Sequence, residues 1–156
     1  EKGLFGSRYY SENPVFPLEN TIANINIDMI GRVDPEHKDN RNYIYVIGAD
    51  RLSTELDAEI TNANNNNFTG FTLDYKYNDR NDPQRIYYRS DHYNFAKNGV
   101  PSVFFFSGIH EDYHQPTDTP DKIDYPLMTT CTRLIFHTAW NLVNRAERIK
   151  VDRDGN

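Results

Sequence analysis

Segments of helical and of strand character alternate along this chain, and their order restricts its fold more than any other feature. Gly3 to Glu12 reads as a short helix stopped by Asn13-Pro14, because proline restricts the residue before it. From Thr21 to Ile30 the pattern has period two: Ile25, Ile27 and Met29 share one face, Asn24, Asn26 and Asp28 the other, and Gly31 ends the run. Tyr43 to Gly48 is a second strand rich in β-formers, and Arg51 to Asn62 carries Leu52, Leu56 and Ile60 at helical spacing. The Asn64 to Asn67 tract suits a helix exit, and Thr72 to Tyr77 a third strand. Ser90 can cap a helix over Asp91 to Asn98 with Gly99 past its end, and the most apolar strand follows at Val100 to Ser107. After a loop from Gly108 to Asp124, a helix from Tyr125 to about Arg148 lines up Leu127, Cys131, Leu134, Ile135, Thr138 and Leu142 on one side. Helix, strand, strand, helix, strand, helix, strand, helix predicts an α/β layered fold with a mostly parallel, mixed sheet. It forms one domain over residues 1–150, and residues 151–156 form a frayed tail or lead onward.

Composition narrows the function classes. The 11 Tyr and 9 Phe supply bulky apolar surface for a core, so disorder is not expected. A formal charge of -6 with no visible basic run disfavours nucleic acid and anionic lipid as partners. The run Val103 to Phe106 falls far short of the roughly 20 residues that span a bilayer. The single cysteine, Cys131, forms no intrachain disulfide and reads as a core residue of the last helix. The chain begins Glu1-Lys2-Gly3, with neither an initiator Met nor a signal-peptide core, as a processed or truncated product would.

In open α/β sheets ligands bind outside the carboxyl ends of the strands. Asp28 lies at the end of the first strand and His114 in the loop after the last; if those strands are parallel neighbours, both point into one crevice. A carboxylate and an imidazole meeting there suit zinc, which takes oxygen and nitrogen ligands. The alternative is that Asp28 bonds backbone and His114 is an ordinary loop histidine. Ser90-Asp91-His92 has the composition of a hydrolase triad, but consecutive residues at a helix start diverge, which excludes a serine hydrolase relay. His110 is expected in solvent, and His37 and His137 in structural roles.

Four segments occur in an order that resembles the dizinc aminopeptidase family: Glu1-Lys2-Gly3-Leu4-Phe5-Gly6-Ser7, Asn26-Ile27-Asp28-Met29-Ile30-Gly31, Ser90-Asp91-His92 and Tyr113-His114-Gln115-Pro116-Thr117-Asp118-Thr119. The family includes bacterial leucyl aminopeptidase-like enzymes, glutamate carboxypeptidases, glutaminyl cyclases and catalytically silent receptor ectodomains. The resemblance, from Glu1 to about Arg148, implies the C-terminal part of a three-layer α/β/α zinc-peptidase fold, incomplete at its N-terminus. It also implies that Glu1 and His114 share one zinc and that Asp28 binds the other with an early histidine. That histidine, the bridging aspartate and the general-base glutamate of the family pattern have no counterpart in these 156 residues. By the same resemblance Tyr113 donates to the oxyanion, against the alternative of a packed tyrosine. Arg89, Asp91 and His92 line the substrate pocket or support the ligands, against the alternative of capping and packing. The implied function is a two-zinc exopeptidase acting on peptide N-termini outside the cytoplasm, periplasmic or secreted. This chain alone would bind zinc weakly, have negligible activity, and associate as a homodimer or with a complementing N-terminal fragment. A glutaminyl cyclase-like acyltransferase and a metal-free, non-catalytic binding domain are the alternatives.

Overall fold

The computed structural model describes residues 3–67 and 70–155. Four strands, β1 (Asn24–Ile27), β2 (Tyr43–Ile47), β3 (Thr72–Asp74) and β4 (Ser102–Phe106), form one sheet in the order β1-β4-β2-β3. β1 runs parallel to β4 and β3 parallel to β2, whereas β2 and β4 are antiparallel, so the mixed sheet matches the sequence expectation. Among the described residues five α-helices accompany it: α1 (Phe5–Glu12), α2 (Ala49–Leu52), α3 (Thr54–Asn66), α4 (His92–Ala96) and α5 (Tyr125–Val143). No helix among the described residues is long and apolar enough to cross a membrane.

Side chains alternate across a strand, and β2 and β4 are buried along their whole length, so each feeds two separate cores. Ile44, Val46, Val103 and Phe105 face α3 and α5 and meet Leu56, Ile60, Cys131 and Leu134. Tyr43, Tyr45, Ile47, Phe104 and Phe106 face the other way, onto Leu52 of α2, Ala96 of α4 and the turn residues Tyr77, Ile86 and Tyr87. The result is three layers. α5 buries the six residues that the sequence pattern marks, and burial holds the Cys131 thiol up at about 12, consistent with a core residue.

Several boundaries differ from the sequence reading for local reasons. The expected helix over Arg51 to Asn62 is two helices, because Ser53 is extended (φ -144°, ψ 117°) and its hydroxyl accepts from Leu56 N at 3.3 Å, capping α3. α3 then continues to Asn66, and Asn64 clasps the Phe71 backbone through both amide atoms, which fixes the helix exit. β1 is shorter than expected because Met29 turns into the left-handed region (φ 57°). β3 stops at Asp74 where a 3-10 turn, Lys76–Asn78, begins. α5 ends at Val143, after which Arg145 pairs with Glu55 and Glu59 of α3 and Ile149 enters the core. The tail is not frayed as far as it is described: Asp152 N and Arg153 N donate to Leu52 O, Gly155 N donates to Arg51 O, and the Asp152 carboxylate caps Thr54 N at 2.9 Å.

The loop after β4 is fixed at its first residue. Asp34 is buried, its N–H donates to Tyr43 Oη at 2.7 Å, and its carboxylate accepts from Tyr45 Oη at 3.3 Å; Tyr43 Oη in turn donates to Ser107 O. Gly108 sits against this carboxylate at φ +104°, where an added Cβ would come within 2.3 Å of Asp34 Oδ2. Gly99, past the end of α4, also has positive φ (+83°) but has nothing within 4 Å. Gly108→Ala is therefore expected to destabilise the chain by about 1 to 3 kcal/mol in urea denaturation, and Gly99→Ala by only the backbone strain, about 1 kcal/mol. Equal losses would refute the steric role assigned to Asp34.

His92 is fully buried, with its ring 5.0 Å from Phe104 in a stacked arrangement and 5.2 Å from Tyr87 edge-on. Burial lowers its pKa to about 3, the backbone of Tyr87 opposing and the Arg51 charge assisting. The unfolded chain takes up this proton near pH 6.5 and the native one only near 3, so stability is lost progressively as pH falls through that window. His92→Phe should flatten the pH dependence of unfolding free energy between pH 6 and 4 by about 1.4 kcal/mol per pH unit. Superimposable profiles for the two proteins would disprove a neutral, buried His92.

A candidate metal and substrate crevice

β1 and β4 are parallel neighbours in the register Asn24↔Ser102 to Ile27↔Phe105, so their carboxyl ends leave the sheet together. Asp28 N donates to Phe105 O at 3.2 Å and Ser107 N to Met29 O at 3.1 Å, which holds the two departing chains side by side. Beyond that edge lies a crevice of about 450 Å³ whose walls include Asp28, Arg89, Ser90, Asp91, Tyr113 and His114. A narrow recess of about 30 Å³ adjoins it, sharing Asp28, Met29, Arg89 and Tyr113 and floored by Ile86, Phe104, Phe106 and Ile109.

Five of the sequence-predicted site residues, Asp28, Arg89, Asp91, Tyr113 and His114, thus line one cavity. Glu1 lies outside the described residues. His92, expected on the substrate side, packs in the core instead and does not line the crevice. The reason is local: at a helix start successive side chains point apart, and the Phe104 and Tyr87 rings claim the imidazole.

Asp28 is exposed to the crevice, and its carboxylate accepts from Ser90 Oγ at 2.8 Å, while Ser90 Oγ accepts from Asn26 Nδ2 at 2.8 Å. This corrects the role read for Ser90. It makes no side-chain cap on α4; it is 2 % exposed, and its hydroxyl orients Asp28. The sequence signal for the pairing was only the alternation that puts Asn26 and Asp28 on one strand face.

Tyr113 and His114 stack with centroids 3.9 Å apart, and His114 takes φ 57°. Arg89 Nη2 donates to Tyr113 Oη at 3.3 Å, so the phenolic oxygen accepts from a cation and its proton is left to be donated elsewhere. The two non-glycine residues that flank the crevice in left-handed backbone, Met29 and His114, carry strain of the kind that concentrates at functional sites. Asp91 Oδ1 is buried without a hydrogen-bond partner among the described residues, an acceptor still to be satisfied.

The Tyr113-His114 loop is braced by charge. Arg32 bridges Asp112 at 2.9 Å and Asp118 at 3.0 Å, and Lys122 reaches Asp112 at 2.8 Å. Hydrogen bonds from Lys122, Thr117 and Arg32 hold the Asp112 carboxyl well below the usual carboxylate range. His110 is buried, not solvent-exposed as its sequence context suggested, because the loop folds back over it. Among the described residues His110, Asp112 and Asp118 are the one group of three metal-type donors within 4.8 Å of one another. Arg32 and Lys122 already neutralise both carboxylates there, so that group does not fit an additional cation. Asp28 and His114 do fit zinc: an oxygen and a nitrogen donor on one crevice, with no cation paired to Asp28 among the described residues and a hydroxyl fixing its carboxylate from behind.

No curated protein matches the chain. Solved structures that resemble it include a zinc aminopeptidase from Bacillus subtilis, with 20% identity and a TM-score of 0.66 over 98% of this chain and 34% of that one. The LapA aminopeptidase of Legionella pneumophila gives 19% identity and a TM-score of 0.69 over 92% and 37%. A glutaminyl cyclase from Fimbriiglobus ruber gives 17% identity and a TM-score of 0.63 over 86% and 43%. The chain therefore spans between a third and a half of the length of these proteins, and at such identities the likeness shows the fold. The sequence model of peptidase family M28 matches residues 1–139, and the chain belongs to that family.

Proposed function

We propose that this chain carries part of the active site of a zinc-dependent aminopeptidase, with Asp28 and His114 as metal ligands and Tyr113 as oxyanion donor. The observation that carries this reading is the convergence of Asp28, Tyr113 and His114 on one crevice, with Asp28 held from behind by Ser90. Zinc bound there would polarise the scissile carbonyl and acidify a water, as in two-metal hydrolases generally. Asn26 and Ser90 keep one carboxylate oxygen of Asp28 engaged, so the other is presented to the metal in a fixed orientation. Arg89 occupies the acceptor side of Tyr113 Oη, which directs its proton at the developing oxyanion. Asp91, with its unsatisfied oxygen, is suited to accept from the substrate's α-ammonium, and the apolar recess beside Asp28 to receive the N-terminal side chain. The general base and the remaining ligands besides Glu1, Asp28 and His114 have no counterpart in these residues, so the chain by itself is expected to bind zinc weakly and to hydrolyse little.

A glutaminyl cyclase shares the fold, which keeps an intramolecular acyl transfer as the second reading. Ammonia release from an N-terminal glutaminyl peptide without peptide-bond cleavage would select it.

The reading is tested by zinc titration and by hydrolysis of an aminoacyl p-nitroanilide, using this chain and an N-terminally extended form. The extended form should bind about two zinc ions per chain and cleave. Asp28→Asn should abolish cleavage, and Ser90→Ala should weaken zinc affinity by about 10- to 100-fold. Unchanged zinc binding in both variants would sink the assignment.

The same reading bears on association. β1 is an edge strand whose outer side pairs with no described strand, and α5 exposes Phe136, Trp140 and Val143, each more than half accessible. We propose that these surfaces bind a second copy or an N-terminal segment of the same enzyme. Light scattering after size exclusion, of the chain alone and with an N-terminal segment added, should show association that Trp140→Lys weakens; a monomer at all concentrations that also binds no N-terminal segment would contradict it.

A further inference from the structure

A second cleft, of about 550 Å³, lies apart from the crevice, and in it Arg51, Arg80 and Lys97 meet Tyr87, Tyr88 and Tyr93 of the Ile86–Tyr88 turn and α4. Its chemistry is the reverse of the crevice. The crevice gathers the carboxylates Asp28, Asp91 and Asp118, whereas the cleft collects three cations and a single carboxylate, Asp154, at its rim. In a chain of net charge -6 this is a local inversion of the field.

Arg51 is only 4 % exposed. Its guanidinium lies 3.9 Å over the Tyr87 ring, Nη2 donates to Asn78 O at 3.0 Å, and Nε is buried with no partner. Asp154 apart, no carboxylate of the described residues forms an ion pair with Arg51, Arg80 or Lys97, so cations outnumber carboxylates in the cleft by three to one. A buried guanidinium whose Nε lacks a hydrogen-bond partner, in a cleft with excess positive charge, is costly, and an anion bound there would offset that cost. The aromatic wall defines the rest of the ligand. Tyr87 and Tyr88 meet edge-on at 5.1 Å and Tyr88 and Tyr93 at 5.0 Å, leaving ring surface for a flat apolar group beside the charge.

We propose that this cleft is a binding site, separate from the peptidase crevice, for an oxyanion carried on a flat apolar body. Arg51 anchors the anion from the floor, Arg80 and Lys97 close on it from the rim, and the tyrosines hold the planar group. Phosphate and carboxylate share this chemistry, and the probes below tell them apart.

The test is calorimetric titration of the chain with phenyl phosphate, with benzoate and with neutral benzyl alcohol. At least one of the two anions should bind saturably and more weakly as salt rises, and benzyl alcohol should not. Which anion binds more tightly identifies the natural head group, and either preference supports the site. Arg80 and Lys97 are exposed, so Arg80→Gln/Lys97→Gln leaves the fold intact and should weaken anion binding by about tenfold or more. Asp28→Asn, at the crevice, should leave it unchanged. The proposal is overturned if neither anion binds, if benzyl alcohol binds equally well, if the double variant binds as tightly as the parent, or if Asp28→Asn abolishes binding.

Discussion

The antiparallel pairing of β2 with β4 is the constraint from which the rest of the architecture follows. Both strands are buried along their length, so neither face of the sheet's centre can be left to water. Helices and turns must cover both faces, which produces two cores divided by one sheet. With β2 reversed against β4, the parallel partner β1 falls on the outer side of β4, and the carboxyl ends of β1 and β4 coincide. A place where two parallel strands end side by side leaves backbone free to diverge, and there Asp28 and the Tyr113-His114 loop face each other.

Electrostatics then assigns different duties to the cations. Arg32 and Lys122 are consumed by Asp112 and Asp118, and that neutralised cluster stiffens the loop holding the catalytic candidates. It is structural for the same reason that it resembles a metal site on donor count: its carboxylates are already satisfied. Asp28 has no cation against it among the described residues, only a hydroxyl, which leaves its charge available. Arg51 reverses the case, a buried cation stacked on a ring with its Nε left without a hydrogen-bond partner among the described residues. Availability of charge, rather than its presence, separates the candidate functional groups from the bracing ones.

Much of this was legible in the residues. Period-two alternation located β1 and its Asn26/Asp28 face, and the helical stripe of α5 identified its six buried residues. What stayed hidden depends on contacts distant in sequence. The break at Ser53 needs an extended residue inside an otherwise helical pattern, and the burial of His110 needs its loop to close. The cationic cleft was equally invisible: Arg51, Arg80 and Lys97 form no run, and only the fold brings them together. Net charge and charge runs describe a chain, whereas a binding site is a property of its surface.

Ser90-Asp91-His92 shows how far composition is from geometry. Three adjacent residues with the makeup of a hydrolase triad enter a helix start, where side chains separate by about 100° per residue. Ser90 turns towards β1 and holds Asp28, Asp91 opens to the crevice, and His92 enters the core against Phe104. No relay can pass along them, because none faces the next. The segment nevertheless serves the site better this way: its buried histidine anchors the helix to the sheet, and that anchoring fixes the hydroxyl behind Asp28. A short polar run thus contributes a positioning group, a crevice carboxylate and a packing anchor, each set by the direction the backbone gives it.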